Sequence, residues 1–237
     1  MSGSGQPSPG FSHSGELVVP LFPLPNVVLF PKAVLPLHIF EERYKTMTRD
    51  AIAGDRRIAM ALLKPGWEKQ YYGRPAIEPV VCVGQMLSHE ELPDGRFNFL
   101  LRGSMRARVV RELGGPAADG ESDKPYRLAV LEPLEDRVAD PSVLEPARDA
   151  LRTIFTESSL AASPMGRKFA ELVNGPVPVN DLADLVAFNF LDEIPLKQQL
   201  LAETDVARRL SLLVRSLRAV AGPVGTSNAR FARPSLN

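Results

Sequence analysis

The chain is poor in the residues that usually do chemistry. Its 237 residues include one cysteine, one tryptophan, three histidines and four tyrosines. The lone Cys82 excludes an internal disulfide and a thiolate metal site. It lies in the apolar run Val80-Val81-Cys82-Val83, where a free thiol behaves as a small buried hydrophobe, and a reducing compartment fits. Neither sign of charge is in excess: 28 basic residues face 28 acidic ones. That balance argues against a protein built mainly to hold nucleic acid. No apolar run approaches the length that spans a bilayer. Residues 1–14, rich in Gly, Ser and Pro, lack the basic start and apolar stretch of a signal peptide. They read as a flexible tail on a cytoplasmic protein.

Catalytic signatures are also missing. There is no G-x-x-x-x-G-K-[ST] phosphate loop, no H-E-x-x-H pair and no G-x-S-x-G elbow. His13 falls in the tail. His89 precedes Glu90 and Glu91, but no further Cys or His supports a metal there. Neither a metal nor a cofactor is expected. Glu41 and Glu42 are adjacent carboxylates where a helix begins, and acidic groups there favour the helix dipole.

What the chain does have is pattern. Apolar residues make up 44% and charged residues 24%, as in an ordinary globular protein. Two styles of sequence meet near residue 140. Before it, short apolar runs alternate with turn signals. Prolines 20, 23, 25, 31 and 36 forbid a helix over Leu17 to Phe40 and confine its two expected strands to edges or strand starts. Glu41 to Gly54 reads as a helix with Tyr44, Met47 and Ala51 on one face. Arg57 to Leu63 and Val80 to Leu92 read as strands, with a loop over Lys64 to Ala76. Pro93-Asp94-Gly95 is a hairpin turn. From Phe97 to Val109 apolar residues take the odd positions, and Arg102, Arg106 and Arg108 the even ones; Leu100 is an exception. That is a strand with one dry and one wet face, and Gly103 marks a bulge in it. A turn from Gly114 to Lys124 leads to a strand over Tyr126 to Leu134. Curved antiparallel strands of this kind close into a small barrel.

After residue 140 the spacing is helical. Asp140-Pro141 is an N-cap followed by proline in the first turn. Helices are expected over 141–157, 164–173 and 181–191, the last capped by Asn180. In the final helix Val206, Leu210, Leu213, Val214 and Leu217 form one stripe, with Arg208, Arg209, Arg215 and Arg218 off it.

The segment PLFPLPNVVLFPKAVLPLHIFEERY, Pro20 to Tyr44, resembles the opening signature of the Lon protease amino-terminal domain family. The Asp94-Gly95 turn with Gly103 and Arg106 is similar to that family's hairpin. Asp184-Leu185, Lys197-Gln198-Gln199-Leu200-Leu201 and Arg209-Leu210 resemble its helical part. The likeness runs from about residue 16 to 220. It implies an α+β fold: an amino-terminal PUA-like β-barrel lobe over 16–137, a carboxy-terminal α-helical bundle over 138–221, and flexible tails over 1–15 and 222–237. His38 lies inside the signature, where a structural role is expected.

The resemblance further implies a non-catalytic module that binds peptides or unfolded protein segments. With no phosphate loop and no segment like the family's catalytic serine, the expectation is a stand-alone form, working alone or with a separate ATP-dependent protease. Trp67, Tyr71 and Tyr72 are the candidate anchors for a protein segment, because exposed aromatics dominate such contacts. The alternative is RNA binding through Arg102, Arg106 and Arg108, since PUA-like barrels elsewhere bind RNA. A hydrolase with an unrecognised site stands third.

Overall fold

The computed structural model describes residues 16–114, 123–138 and 140–221. The expected turn from Gly114 to Lys124 and both tails fall largely outside these residues. The chain divides into two compact units, with the break between Leu134 and Glu135. The first carries a six-stranded sheet and the second is helical, so the α+β class expected from the sequence holds.

The first unit contains β1 (Leu17–Leu24), β2 (Val34–Ile39), α1 (Glu42–Ala53), β3 (Arg57–Leu62), β4 (Val80–Glu91), β5 (Phe97–Gly114) and β6 (Arg127–Leu134). The sheet order is β2-β5-β4-β3-β1-β6, and β6 also pairs with β5. Five strands therefore close a ring, and β2 is appended to it. The ring closes because β5 is 18 residues long. Its first half lies between β2 and β4, and its second half turns to β6. The interior is narrow. Leu17, Leu21 and Leu131 fill it against Ala59, Ala61, Ala107 and Ala129, large opposite small.

Two findings differ from the sequence reading. First, β1 and β3 run parallel, not antiparallel, because β2 and α1 intervene and carry the chain back before β3 begins. Second, Pro20 and Pro23 sit within a strand that has neighbours on both flanks. β1 tolerates them because its ladders are offset: residues 17–21 pair with β6 and residues 21–24 with β3. Each proline lies where one flank carries no ladder, so its missing N–H costs little there.

Gly103 has a steric reason. Its N–H donates to the Ala33 carbonyl (2.9 Å) and its carbonyl accepts from Lys32 N–H (2.8 Å). A Cβ at this position would fall 2.0 Å from the Phe30 carbonyl oxygen. The strand bulges at the next residue: Gly103 faces Gly84, whereas Met105 faces Val83, which leaves Ser104 as the extra residue.

The second unit holds α2 (Pro141–Glu157), α3 (Pro164–Asn174), α4 (Val179–Phe190), α5 (Ile194–Ala202) and α6 (Val206–Val220). The Asp140 carboxylate accepts from Ser142 N–H, capping α2 as expected. Ser163 caps α3 the same way, through Gly166 N–H at 2.9 Å. Asn180 does not cap α4; the helix begins earlier, with Pro178 at the cap position. The helix α5 has no counterpart in the sequence reading. Phe155, Phe169 and Phe190, from α2, α3 and α4, pack with centroids 4.9–5.6 Å apart. Arg148 donates to the carbonyls of Val173, Gly175 and Val177, tying α2 to the turn before α4.

Arg209 corrects the amphipathic reading of α6. It is 1% exposed and sits among the apolar stripe. Its two terminal nitrogens donate to both oxygens of Asp136, at 2.8 and 2.7 Å, and one also donates to the Glu203 carbonyl. The Asp184 carboxylate lies 3.5 Å from its Nε.

Candidate functional site

The loop between β3 and β4 is pinched at its base. Lys64 N–H donates to the Ala76 carbonyl at 2.9 Å, and Leu63 bridges Ile77. Gly66, at φ +89°, turns the chain into a 3-10 turn over Trp67–Gln70, a conformation glycine adopts at little cost. Gly73 N–H closes back on the Gln70 carbonyl at 2.8 Å. This fold-back stacks the aromatics edge to face. Trp67 and Tyr71 lie 5.6 Å apart, and Tyr71 and Tyr72 5.1 Å. Trp67 and Tyr71 are half-buried, while Tyr72 is 83% exposed.

The start of α1 holds Tyr71 in place. Its hydroxyl donates to Glu41 Oε1 at 2.5 Å. Glu41 occupies the N-cap position, yet its side chain makes no capping bond; it accepts instead from Tyr71 and Arg43. The Arg43 guanidinium lies over the rings of Tyr44 and Tyr71, at 4.6 and 5.1 Å, a favourable cation–π geometry. The far stem of the loop is fixed by Arg127, which donates to the Pro75 carbonyl and pairs with Glu112. Arg74 approaches the same carboxylate at 3.4 Å.

Between these anchors is a shallow recess. Pro23, Leu63 and Pro75 give it apolar walls, Tyr44, Tyr71 and Tyr126 aromatic ones, and Arg43 and Arg127 polar edges. Burial pushes the Tyr44 hydroxyl up to about 12. Burial also raises Tyr126, helped by its hydrogen bond to Asp50.

The three arginines of the alternative site do not share one face. Arg102 faces Gln85, Arg106 faces Cys82 and Arg108 faces Val80. Successive β4 residues alternate in direction. The bulge at Ser104 therefore puts Arg102 on one face and Arg106 and Arg108 on the other. Arg106 is only 3% exposed, which corrects its placement on a wet face. Arg108 is exposed but donates to Glu132 at 3.0 Å, and Arg111 pairs with Glu16. Acidic partners thus interrupt the positive charge.

Sequence reasoning missed an exposed apolar strip on the outer face of β2, β5 and β4. Val34 stands opposite Arg102, and Pro36 opposite Leu100. Leu100 faces Ser88, next to the bulged Leu87. Val34, Leu87 and Leu100 are 41%, 48% and 39% exposed. The one available signal was Leu100 on the polar side of an otherwise clean alternation. His38 shares this face and hydrogen-bonds Asn98 through Nδ1. Among the described residues there is no cluster of three or more His, Cys, Asp or Glu side chains suited to a metal. No helix among them is long and apolar enough to cross a membrane.

Comparison with known families decides the relationship. The family described as the ATP-dependent protease La (LON) substrate-binding domain matches residues 18–219. The chain belongs to this family. Lon protease 1 of Syntrophobacter fumaroxidans is 27% identical over 208 residues, covering 88% of this chain and 24% of that protein. The Lon protease of Dictyoglomus thermophilum is 27% identical over 196 residues, covering 81% and 23%. The chain spans about a quarter of the length of these curated relatives. Among solved structures, the N-terminal domain of a Mycobacterium avium complex Lon protease superposes with a TM-score of 0.65 at 16% identity, covering 85% of this chain and 98% of that one. A Lon N-terminal domain protein from Xanthomonas campestris gives 0.58 at 22%, covering 84% and 97%. At such identities the solved structures establish the Lon N-terminal fold and nothing finer.

Proposed function

We propose that this Lon substrate-binding domain is a non-catalytic recognition module that holds extended, partly apolar protein segments, with Trp67, Tyr71 and Tyr72 as anchors. The observation that carries the site is Tyr72, an aromatic side chain left 83% exposed beside a Tyr71 fixed by Glu41 and Arg43. A rigid aromatic surface offers contact area at low conformational cost. The family's description as substrate-binding supports the same reading. The non-catalytic part rests on the sequence, which carries none of the phosphate-loop, H-E-x-x-H or G-x-S-x-G signatures. In this reading a bound segment is passed to an ATP-dependent protease, whether separate or joined.

An array of apolar and aromatic peptides, probed with the wild type, Trp67→Ala/Tyr72→Ala and Leu87→Ser/Leu100→Ser, tests this. Tyr71 is left intact because it braces Glu41. Capture lost in the first variant and kept in the second supports the reading. Capture lost only in the second keeps the function and moves the site to the sheet face. No capture by the wild type overturns it.

A further inference from the structure

The recess beside Tyr71 offers an unused hydrogen-bond donor. The carboxylates and the carbonyl beside it are engaged: Glu41 accepts from Arg43 and Tyr71, Glu112 from Arg127, and the Pro75 carbonyl from Arg127. The Tyr44 side chain is buried, with the residue 6% exposed, and its hydroxyl has no hydrogen-bond partner among the described residues; only burial and through-space charge act on it. It faces the recess together with Arg43 and Arg127. With its titration pushed far above neutrality, the hydroxyl stays protonated and can donate.

The local charge has the same sign. Arg43, Arg74 and Arg127 stand against Glu41 and Glu112, an excess of one positive charge. The neighbouring Lys124 and Asp50 cancel each other. Size narrows the occupant further. The enclosed part of the recess holds about one water-sized group, too small for a side-chain ring. The rim of Pro23, Pro75, Pro125 and Tyr71 is apolar. A hydroxyl donor open to a pocket of this size, with one positive charge in excess around it and an apolar rim, suits one oxygen of a carboxylate whose other atoms lie on the rim.

We infer that this recess is a carboxylate subsite: Tyr44, flanked by Arg43 and Arg127, receives the carboxylate of a bound segment whose adjoining apolar groups lie on the proline and tyrosine rim. The inference rests on the peptide-binding reading above and specifies what that site selects. The carboxylate is either the chain terminus or an Asp or Glu side chain next to apolar residues.

The test uses the full chain and three forms of one eight-residue apolar peptide ending in alanine: the free acid, the terminal amide, and an amide with aspartate as its last residue. Binding is read by fluorescence anisotropy for the wild type and Tyr44→Phe. The variant removes only a hydroxyl that has no partner, so its thermal unfolding should match the wild type. A hydrogen bond to a charged group predicts that the free acid binds about tenfold tighter than the amide. Tyr44→Phe should lose that preference and leave the amide's affinity unchanged. If the aspartyl amide instead shows the Tyr44-dependent gain, the source is a side chain rather than a terminus. Equal binding of all three forms to the wild type overturns the subsite while leaving peptide binding intact. A preference that survives Tyr44→Phe overturns it too. Failure of every form to bind removes the peptide-binding reading itself, and this inference with it.

Discussion

Replacing Arg209 by methionine probes the charge network inside the helical unit. Methionine retains much of the aliphatic volume but removes the paired bonds to Asp136, the bond to the Glu203 carbonyl and the positive charge beside Asp184. The Asp184 carboxylate, 2% exposed, then stays buried without the cation it faces. Removing one partner of a buried ion pair costs roughly 3–5 kcal/mol, most of it from the charge left behind. The Asp136 side chain is 17% exposed, so water relieves part of its share, and a loss of about 3 kcal/mol is expected. With a urea dependence of roughly 1–3 kcal/mol per molar, the unfolding midpoint falls by about 1–3 M. Far-UV circular dichroism is the suitable probe, because α2 to α6 supply most of the helix. A loss below about 1 kcal/mol would refute the network's role, since an exposed pair is worth no more than that. A second arm isolates the mechanism. Adding Asp184→Asn to Arg209→Met should recover about 1 kcal/mol or more, because a neutral amide needs no counter-charge. Further destabilisation by that addition would show that lost packing, not stranded charge, sets the cost.

Gly103→Ala should cost roughly 2–4 kcal/mol, because its Cβ meets the Phe30 carbonyl at 2.0 Å; a thermal melt within about a degree of wild type would contradict this. Ser163→Ala removes the cap on Gly166 N–H and should lower stability by about 1 kcal/mol, with Ser163→Asp retaining most of it. Asp50 gives a pH signature. Burial raises its titration, but hydrogen bonds from Lys124 and Tyr126 outweigh that and hold it below its ordinary 3.8. A depressed carboxylate stabilises the fold above its unfolded value and loses that contribution as pH falls through the folded one. The stability gap between wild type and Asp50→Asn should therefore be constant near neutrality and shrink in acid below about pH 4. A gap that widens in acid would reverse the sign.

The features legible in the sequence were local. Asp140-Pro141 names its own helix start, Asp94-Gly95 its own turn, and the stripe from Val206 to Leu217 its own buried face. What escaped depends on residues far apart in the chain. Arg209 looks like a solvent residue until Asp136 and Asp184 are brought to it. Arg106 looks wet by alternation, and only the bulge at Ser104, which follows from the close approach of Gly103 to Phe30, turns it inward. The parallel pairing of β1 with β3 has no signal in either strand. Ile194–Ala202 spans nine residues with a proline in its first turn, too short and weakly patterned to stand out. The aromatic loop could be named from its composition. The recess beside it could not, because Tyr44, Tyr71 and Arg127 come from three separate elements.

The offset ladders of β1 bear on how the protein is made. Residues 17–20 pair only with residues 128–131 among the described residues, the last strand of the ring. During synthesis that half of β1 leaves the ribosome before β6 does and waits until β6 has emerged. An unpaired strand is a template for the wrong partner. Pro20 lies within the waiting half and withholds one donor from any such partner. A residue that looks like a flaw in a strand is thus also a guard on it while the chain is incomplete.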